Sequence, residues 1–158
     1  MLVVSNHDTI APRSGFETHP HRNMEIVTWV LDGSLVHQDS EGHAGVIYPN
    51  LAQRMTAGTG IRHSEKNDRP AVSPDGERPL DLIQMWVVPD EPEVAPGYEQ
   101  LELDPSDLQG RMDLEAEGLL DAGDAARLTG AGGRRLVAAE PSEVVIWEMH
   151  AGLGPATR

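Results

Sequence analysis

The chain has 158 residues, which is within the range of a single domain, and a chain of this length buries about 70% of its unfolded surface without covalent staples. Its 26 acidic and 12 basic residues give a formal net charge of -14, so nucleic acids and anionic membrane surfaces would be repelled. The absence of cysteine excludes disulfides, thiolate chemistry and sulfur ligands, and leaves His, Asp and Glu as possible metal ligands.

The amino-terminal residues Met1 to Asp8 contain no basic segment followed by an apolar stretch. Nor does any apolar run approach the roughly 18 residues that a membrane-spanning helix needs. These features predict a cytoplasmic protein that does not enter the membrane.

Between Gly15 and Val88, apolar residues occur in short runs rich in Val, Ile and Trp, separated by turn signals such as Asp32-Gly33 and Pro49-Asn50. This pattern predicts an all-β fold, and the spacing of about a dozen residues between runs favours a sandwich or barrel. The strongest strand candidates are residues 25–31, 34–39, 45–48 and 80–88. The proline-rich, acidic segment 89–96 is predicted to be a surface loop.

The segment after Gly110 is ambiguous, because its apolar residues 112, 114, 116, 119 and 120 could form one face of a short helix. Gly118 and Gly123 would each cost about 1 kcal/mol in a helix interior, which favours strands. Residues 135–139 and 143–149 are predicted strands, and the glycine- and proline-containing tail 151–158 is expected to fray.

Two short motifs carry the residues best suited to chemistry: His19-Pro20-His21 and His63-Ser64-Glu65. Residues i and i+2 of a strand point to the same face, so each motif presents two donors together. On facing strands, the two pairs would form a four-ligand cluster. Three imidazoles and one carboxylate suit Fe(II), with Mn, Co, Ni, Cu or Zn also possible, and leave open positions for a substrate oxygen or dioxygen.

Either motif alone is weak evidence, since most His-x-His pairs on protein surfaces bind nothing. The context strengthens the metal interpretation, because a glycine-bearing turn precedes each pair and a strand-rich segment separates them. The turns are residues 15–18 and 57–60.

The same residues carry a resemblance to a known family. The spacing Gly15-x3-His19-x-His21-x3-Glu25 with Gly33, and Gly45-x3-Pro49 through Gly60-x2-His63, resembles the two cupin motifs. More narrowly, residues 2–104 resemble the amino-terminal domain of the pirin family. The matching runs are His19–Arg22, Glu25–Gly33, His37–Ser40, Met55–Glu65 and Ile83–Val87.

This resemblance implies a cupin barrel, that is, a double-stranded β-helix or jelly roll, with His19, His21, His63 and Glu65 as iron ligands. Glu25 would support its strand without binding metal. Bacterial pirins resemble quercetin 2,3-dioxygenases, which implies that O2 opens the ring of a small phenolic substrate, a flavonol, with loss of carbon monoxide. Glu65 would accept the hydroxyl proton.

Two other functions remain open at this point. The eukaryotic pirin is a nuclear transcription cofactor, which suggests a non-catalytic iron-binding protein that acts through protein–protein contacts. A degenerate, truncated barrel without activity is the third possibility.

The resemblance also implies a division of the chain at residue 104. Pirins are longer, two-cupin chains, and residues 1–104 correspond to the first cupin. Residues 105–158 would be the remnant of a second one, with 118–149 as its closing half. We expect these strands to pack on the first barrel or, preferably, on a partner chain in a homodimer, because unpaired edges are a liability.

Several other residues receive structural interpretations. For His37 with Asp39, a structural hydrogen bond near the turn is favoured over a second metal site. The remaining histidines, His7, His43 and His150, are interpreted as surface residues, and Trp29, Trp86 and Trp147 as core residues. Met55 and Ile61 could line the pocket, and residues 90–93 are predicted to form a solvated loop.

Overall fold

A computed structural model describes residues 1–68 and 78–104. These ranges contain nine β-strands and no helix. The strands are β1 (Leu2–Ile10), β2 (Gly15–His21), β3 (Glu25–Asp32), β4 (Leu35–Asp39), β5 (Ala44–Ile47), β6 (Leu51–Thr56), β7 (Ile61–Lys66), β8 (Leu80–Val87) and β9 (Gly97–Glu102). The predictions for residues 105–158, including the second-cupin remnant, the strands 135–139 and 143–149, Trp147 and His150, lie outside the described residues.

The strands form two antiparallel sheets, which confirms the all-β prediction. The five-stranded sheet has the order β1-β8-β3-β6-β9, and the four-stranded sheet has the order β2-β7-β4-β5. Most sheet neighbours are distant in sequence, so the sheets are built from non-local pairings rather than from successive hairpins.

Buried and more exposed side chains alternate along the strands, and the buried ones form the interior. In β3, Ile26, Thr28 and Val30 are buried while the intervening residues are only half-buried, as expected when one face of a sheet covers a core. Two apolar clusters form in this way. One contains Ile10, Val30, Leu35, Ile47, Leu80 and Leu82; the other contains Ile26, Met55, Ala57 and Ile61, with Met24 and Trp86 packed against it.

A polar layer lies between these clusters along the strands. On β3, Thr28 lies between Ile26 of one cluster and Val30 of the other. On β8, Gln84 likewise lies between Leu82 of one cluster and Trp86, which packs against the other. The other buried polar side chains include Gln53, His37, His63 and Glu65. Burying so many polar groups is costly unless they have partners, so this layer is where a function is expected.

The four strongest predicted strands correspond to β3, β4, β5 and β8, and segment 89–96 is the predicted loop between β8 and β9. The sequence patterns did not single out β1 or β9. In β9 the last four residues are exposed, so no inward apolar alternation marks it as a strand. The core assignment of Trp29 was wrong, because Trp29 lies half-buried on the face of β3 opposite Thr28 and Val30.

The loop after β8 is held against the turn between β2 and β3. Glu93 accepts hydrogen bonds from Arg22 Nη2 at 2.5 Å and from Asn23 Nδ2 at 2.6 Å, while the Glu93 backbone N–H donates to Asn23 Oδ1 at 2.8 Å. The exposed pair with Arg22 lowers the pKa of the Glu93 carboxyl through this hydrogen bond. The loop is therefore fastened next to His21, the last residue of β2.

Candidate metal centre

Strands β2 and β7 are hydrogen-bonded neighbours in one sheet, and their register pairs His19 directly with His63. The prediction that the two motifs lie on facing strands was therefore wrong: they lie side by side. The ring centroids of His19, His21 and His63 are 4.5 to 4.9 Å apart, so the three imidazoles meet at one point of the sheet.

A β-bulge shapes this pairing. The register between β2 and β7 shifts between Phe16 and His19, so that Phe16 is opposite Glu65 while His19 is opposite His63. Gly15 begins β2 at φ 155°, and a Cβ there would lie 2.2 Å from the backbone oxygen of Glu65. Only glycine permits this approach of β2 to β7 beside the site.

The nitrogens of the paired histidines have the spacing of two ligands of one ion. The Nε2 atoms of His19 and His63 are 3.1 Å apart. Two ligands about 2.1 Å from an ion and at right angles to each other are about 3 Å apart. His19 Nδ1 lies 2.7 Å from the backbone oxygen of Glu17, so a proton on Nδ1 is donated there and the Nε2 lone pair is free. Metal-binding histidines are commonly oriented by such a second hydrogen bond.

Glu65 lies deeper, and its neighbours orient it. Gln84 Nε2 lies 2.9 and 3.0 Å from the two carboxylate oxygens of Glu65. The amide of Gln84 is itself oriented, because Trp86 Nε1 donates to Gln84 Oε1 at 2.9 Å and Gln84 Nε2 lies 3.3 Å from Thr28 Oγ1. The carboxylate is thus held by a chain of hydrogen bonds that starts at Trp86.

Burial sets the protonation of the site. It is the main cause that lowers the pKa of His21 to about 4 and that of His63 to about 3, with the neighbouring His19 as the second cause. It also raises the pKa of Glu65, although the hydrogen bond from Gln84 opposes this. At neutral pH the two imidazoles are uncharged and can offer lone pairs to a cation.

The donors fit a divalent transition metal. His21 Nε2 is buried and has no hydrogen-bond partner among the described residues. Leaving such a group unpaired costs about 1–3 kcal/mol, which a metal ion can offset. Nitrogen and carboxylate donors suit borderline metals such as iron and nickel.

The described residues contain two overlapping groups of donors rather than one group of four. His19, His21 and His63 form one, and His37, His63 and Glu65 form the other; within each, the donor atoms lie within 4.8 Å of one another. Of the four predicted ligands, Glu65 thus stands in the second group. Glu25 belongs to neither and accepts a hydrogen bond from Thr56 Oγ1 at 2.7 Å.

His37 lies next to Asp39, as the sequence predicted, but also belongs to a donor group, and His43 is a surface residue with a 39% exposed side chain. His37 is fully buried, and its Nε2 lies 3.5 Å from Asp39 Oδ2, at the long limit of a hydrogen bond. His43 has a partner, since its Nδ1 lies 2.8 Å from Asp39 Oδ2, and both imidazoles stack on Tyr98. In the sequence, the one signal for His37 was its position two residues before Asp39 on a predicted strand.

Trp86 contacts both the candidate site and the apolar cluster that contains Met55 and Ile61. Trp86 packs edge-on against His21, with ring centroids 4.9 Å apart, and contacts the cluster that contains Met55 and Ile61. Trp86 is half-buried and packs against the core, as predicted, and it also lies beside the site.

A family model named Pirin matches residues 2–87. The chain belongs to the pirin family. A relative from Mycobacterium tuberculosis, provisionally named a quercetin 2,3-dioxygenase, is 42% identical over 205 aligned positions, which cover 98% of this chain and 82% of the relative. The Escherichia coli quercetin 2,3-dioxygenase is 46% identical over 103 residues, covering 65% of this chain and 42% of that protein.

Solved pirin structures confirm the fold class. The crystal structure of YhhW from Escherichia coli has a TM-score of 0.61 and 42% identity, and covers 72% of this chain and 45% of YhhW. The nickel(II) complex of the same bacterial pirin has a TM-score of 0.59 and 41% identity, with the same coverage. The match thus spans under half of these pirin chains.

Proposed function

We propose that this pirin is a dioxygenase that binds Fe(II) through His19, His21, His63 and Glu65 and cleaves a flavonol such as quercetin. The observation that carries the proposal is the 3.1 Å approach of the His19 and His63 Nε2 atoms beside the ring of His21 and a buried carboxylate. The names of the relatives support the substrate class, and the nickel-bound relative supports a divalent metal.

Bound at these donors, a divalent transition metal supplies Lewis acidity toward the hydroxyl and carbonyl oxygens of a flavonol and redox chemistry toward O2. The residues of the chain supply orientation and proton transfer. His19 is oriented by the carbonyl of Glu17, and Glu65 by Gln84. Because burial raises the pKa of Glu65, this carboxylate is a stronger base than an exposed one and is suited to accept the flavonol hydroxyl proton.

The test is a turnover assay. The protein is loaded with Fe(II) under anaerobic conditions and mixed with quercetin and oxygen, and loss of the flavonol absorbance is followed together with carbon monoxide release. We expect turnover that the metal-free protein and the His63→Ala variant lack. Stoichiometric iron without turnover would overturn the enzymatic proposal and leave a non-catalytic, iron-binding regulatory protein.

Two further parts of the proposal concern location and assembly. Among the described residues, no helix combines the length and apolar character that crossing a membrane requires. We propose a cytoplasmic protein, in keeping with the sequence prediction.

Homodimerisation through residues 105–158 likewise stays a prediction, and sedimentation velocity of the full chain tests it.

A further inference from the structure

Two residues next to the candidate metal site have an unfavourable backbone conformation. Asn23, in the turn after β2, has a φ of 49°, and Glu93, in the loop between β8 and β9, has a φ of 59°. Residues other than glycine seldom adopt this left-handed conformation, and a glutamate tolerates it less well than an asparagine. Such strain persists only where surrounding contacts hold the backbone in place, and it is concentrated at functional sites.

The contacts that hold these two residues join them to each other. The Glu93 backbone N–H donates to Asn23 Oδ1 at 2.8 Å, and Asn23 Nδ2 donates to Glu93 Oε1 at 2.6 Å. The Glu93 carboxylate also accepts from Arg22 Nε at 3.1 Å and from Arg22 Nη2 at 2.5 Å. An exposed ion pair of this kind contributes little stability by itself. The reciprocal hydrogen bonds with Asn23 are therefore what fixes the turn against the loop.

The same turn and loop also reach the strand that carries His63. The Asn23 backbone N–H donates to the Gly58 backbone oxygen at 2.9 Å, and the Thr59 backbone N–H donates to the Val94 backbone oxygen at 2.9 Å. Both acceptor and donor lie in the turn that leads into β7. Gly58 has a φ of 46°, and a Cβ there would lie 2.1 Å from the Val94 backbone oxygen, so only glycine permits this approach. The loop thus bridges the end of β2 and the start of β7.

These two strand ends carry the imidazoles of the site. His21 is the last residue of β2, and His63 is the third residue of β7. His19 has a hydrogen bond from Nδ1 to the carbonyl of its own strand, whereas His21 Nε2 has no hydrogen-bond partner among the described residues. The place of His21 relative to His63 therefore depends on where β2 ends. Metal affinity is sensitive to the groups that place a ligand, even when they do not touch the ion.

We propose that Glu93 is a positioning residue for the metal site, because through Asn23 it fixes the end of β2 and hence the place of His21 beside His63. This inference rests on the proposed metal site and goes beyond its four ligands. Glu93 belongs to neither donor group and is exposed, so it acts through geometry and not by binding the ion. Arg22 already compensates its charge.

The experiment measures the nickel(II) affinity of the full chain by competition with a chromophoric chelator, and the visible spectrum of the cobalt(II) form. For Glu93→Ala we expect a loss of affinity of about fivefold or more and a changed cobalt spectrum. Glu93→Gln keeps an oxygen that can accept from Asn23 Nδ2, so its affinity should stay within about twofold of the wild type, with the wild-type spectrum. Equal losses in Glu93→Ala and Glu93→Gln would show an effect of charge and overturn the positioning role.

Glu99 provides a matched control. It is also an exposed glutamate paired with an arginine, at 2.8 Å from Arg54 Nη2, but it lies on β9 and has no printed contact with either turn. Glu99→Ala should keep the wild-type nickel affinity and cobalt spectrum. Wild-type affinity in Glu93→Ala, or an equal loss in Glu99→Ala, would overturn the proposal. Absence of nickel binding by the wild type would overturn the metal site itself, so the two failures are distinguishable.

Asn23→Gly tests the same contact from the side of the turn, and it decides the question if Glu93→Ala does not fold. Glycine relieves the strain at a φ of 49° but removes both side-chain hydrogen bonds to Glu93. We expect this variant to fold and to lose nickel affinity to the same degree as Glu93→Ala. Wild-type affinity in folded Asn23→Gly would overturn the proposal.

Discussion

Gln84 reaches both carboxylate oxygens of Glu65 with one amide nitrogen, over 2.9 and 3.0 Å, and both side chains are buried. The carboxylate that the proposed function requires is therefore held by a neutral partner from the opposite sheet, since Gln84 lies on β8 and Glu65 on β7. A neutral donor orients the carboxylate and leaves its negative charge for a cation.

Replacing this donor should destabilise the protein. We expect Gln84→Met, which keeps much of the volume, to lower the free energy of unfolding by about 1–3 kcal/mol, because a buried carboxylate loses its hydrogen bonds. Urea unfolding of the metal-free protein measures this. The exposed Gln38 on β4 provides the control, and Gln38→Met should change stability by less than about 0.5 kcal/mol. Equal effects of the two substitutions would contradict the assigned role of Gln84.

Removal of the shared histidine should abolish the metal site. His63 belongs to both donor groups, so His63→Ala is expected to eliminate stoichiometric iron binding. His7 is exposed, lies 2.9 Å from Asp81 and is outside both groups, so His7→Ala should retain full iron content. Metal analysis of both variants after anaerobic loading is the measurement, and undiminished iron in His63→Ala would refute the site.

The metal-free protein should lose stability on acidification. Burial lowers the pKa of His21 to about 4 and of His63 to about 3, and it also lowers the pKa of His37. Between about pH 6.5 and pH 4 the unfolded chain therefore binds protons at these positions that the folded chain does not. The raised pKa of Glu65 has the opposite effect on stability, because the folded state binds that proton before the unfolded chain does. The three histidines together outweigh this single group.

Urea unfolding at about pH 7.5 and pH 5 measures this effect, and stability should be lower at pH 5. The His7→Ala variant should show the same pH dependence as the wild type, since His7 is exposed. A metal-free protein with equal stability at both pH values would show that these histidines are not buried in neutral form.

Gly15 should be required for the close approach of β2 to β7. We expect Gly15→Ala to cost at least about 2 kcal/mol, because the added Cβ would lie 2.2 Å from the Glu65 backbone oxygen, and to weaken metal binding by displacing β2. Gly42 has a positive φ of 95° but no atom near its would-be Cβ, so Gly42→Ala should cost only about 1 kcal/mol of backbone strain and leave metal binding unchanged. Similar losses in both variants would argue against the steric explanation.

The positions of several strands could be predicted from the local pattern of apolar residues. The apolar alternation in β3 and β8 is strong because one face of each strand covers the interior, and these strands were predicted nearly to their ends. Strands β1 and β9 form the edges of the five-stranded sheet and expose much of their length, so their side chains carry little alternation to detect. The half-buried outer position of Trp29 was missed because residue type alone does not specify a sheet face.

The sequence by itself determined the donor inventory. Without cysteine, thiolate ligands are excluded, and the i, i+2 spacing places His19 with His21 and His63 with Glu65 on one face of each strand. Only the tertiary structure decided that β2 and β7 are neighbours, that a bulge sets His19 opposite His63, and that β4 brings His37 to Glu65. The physical reason is that side-chain alternation is a local property of a strand, whereas partner and register depend on the packing of the whole sheet.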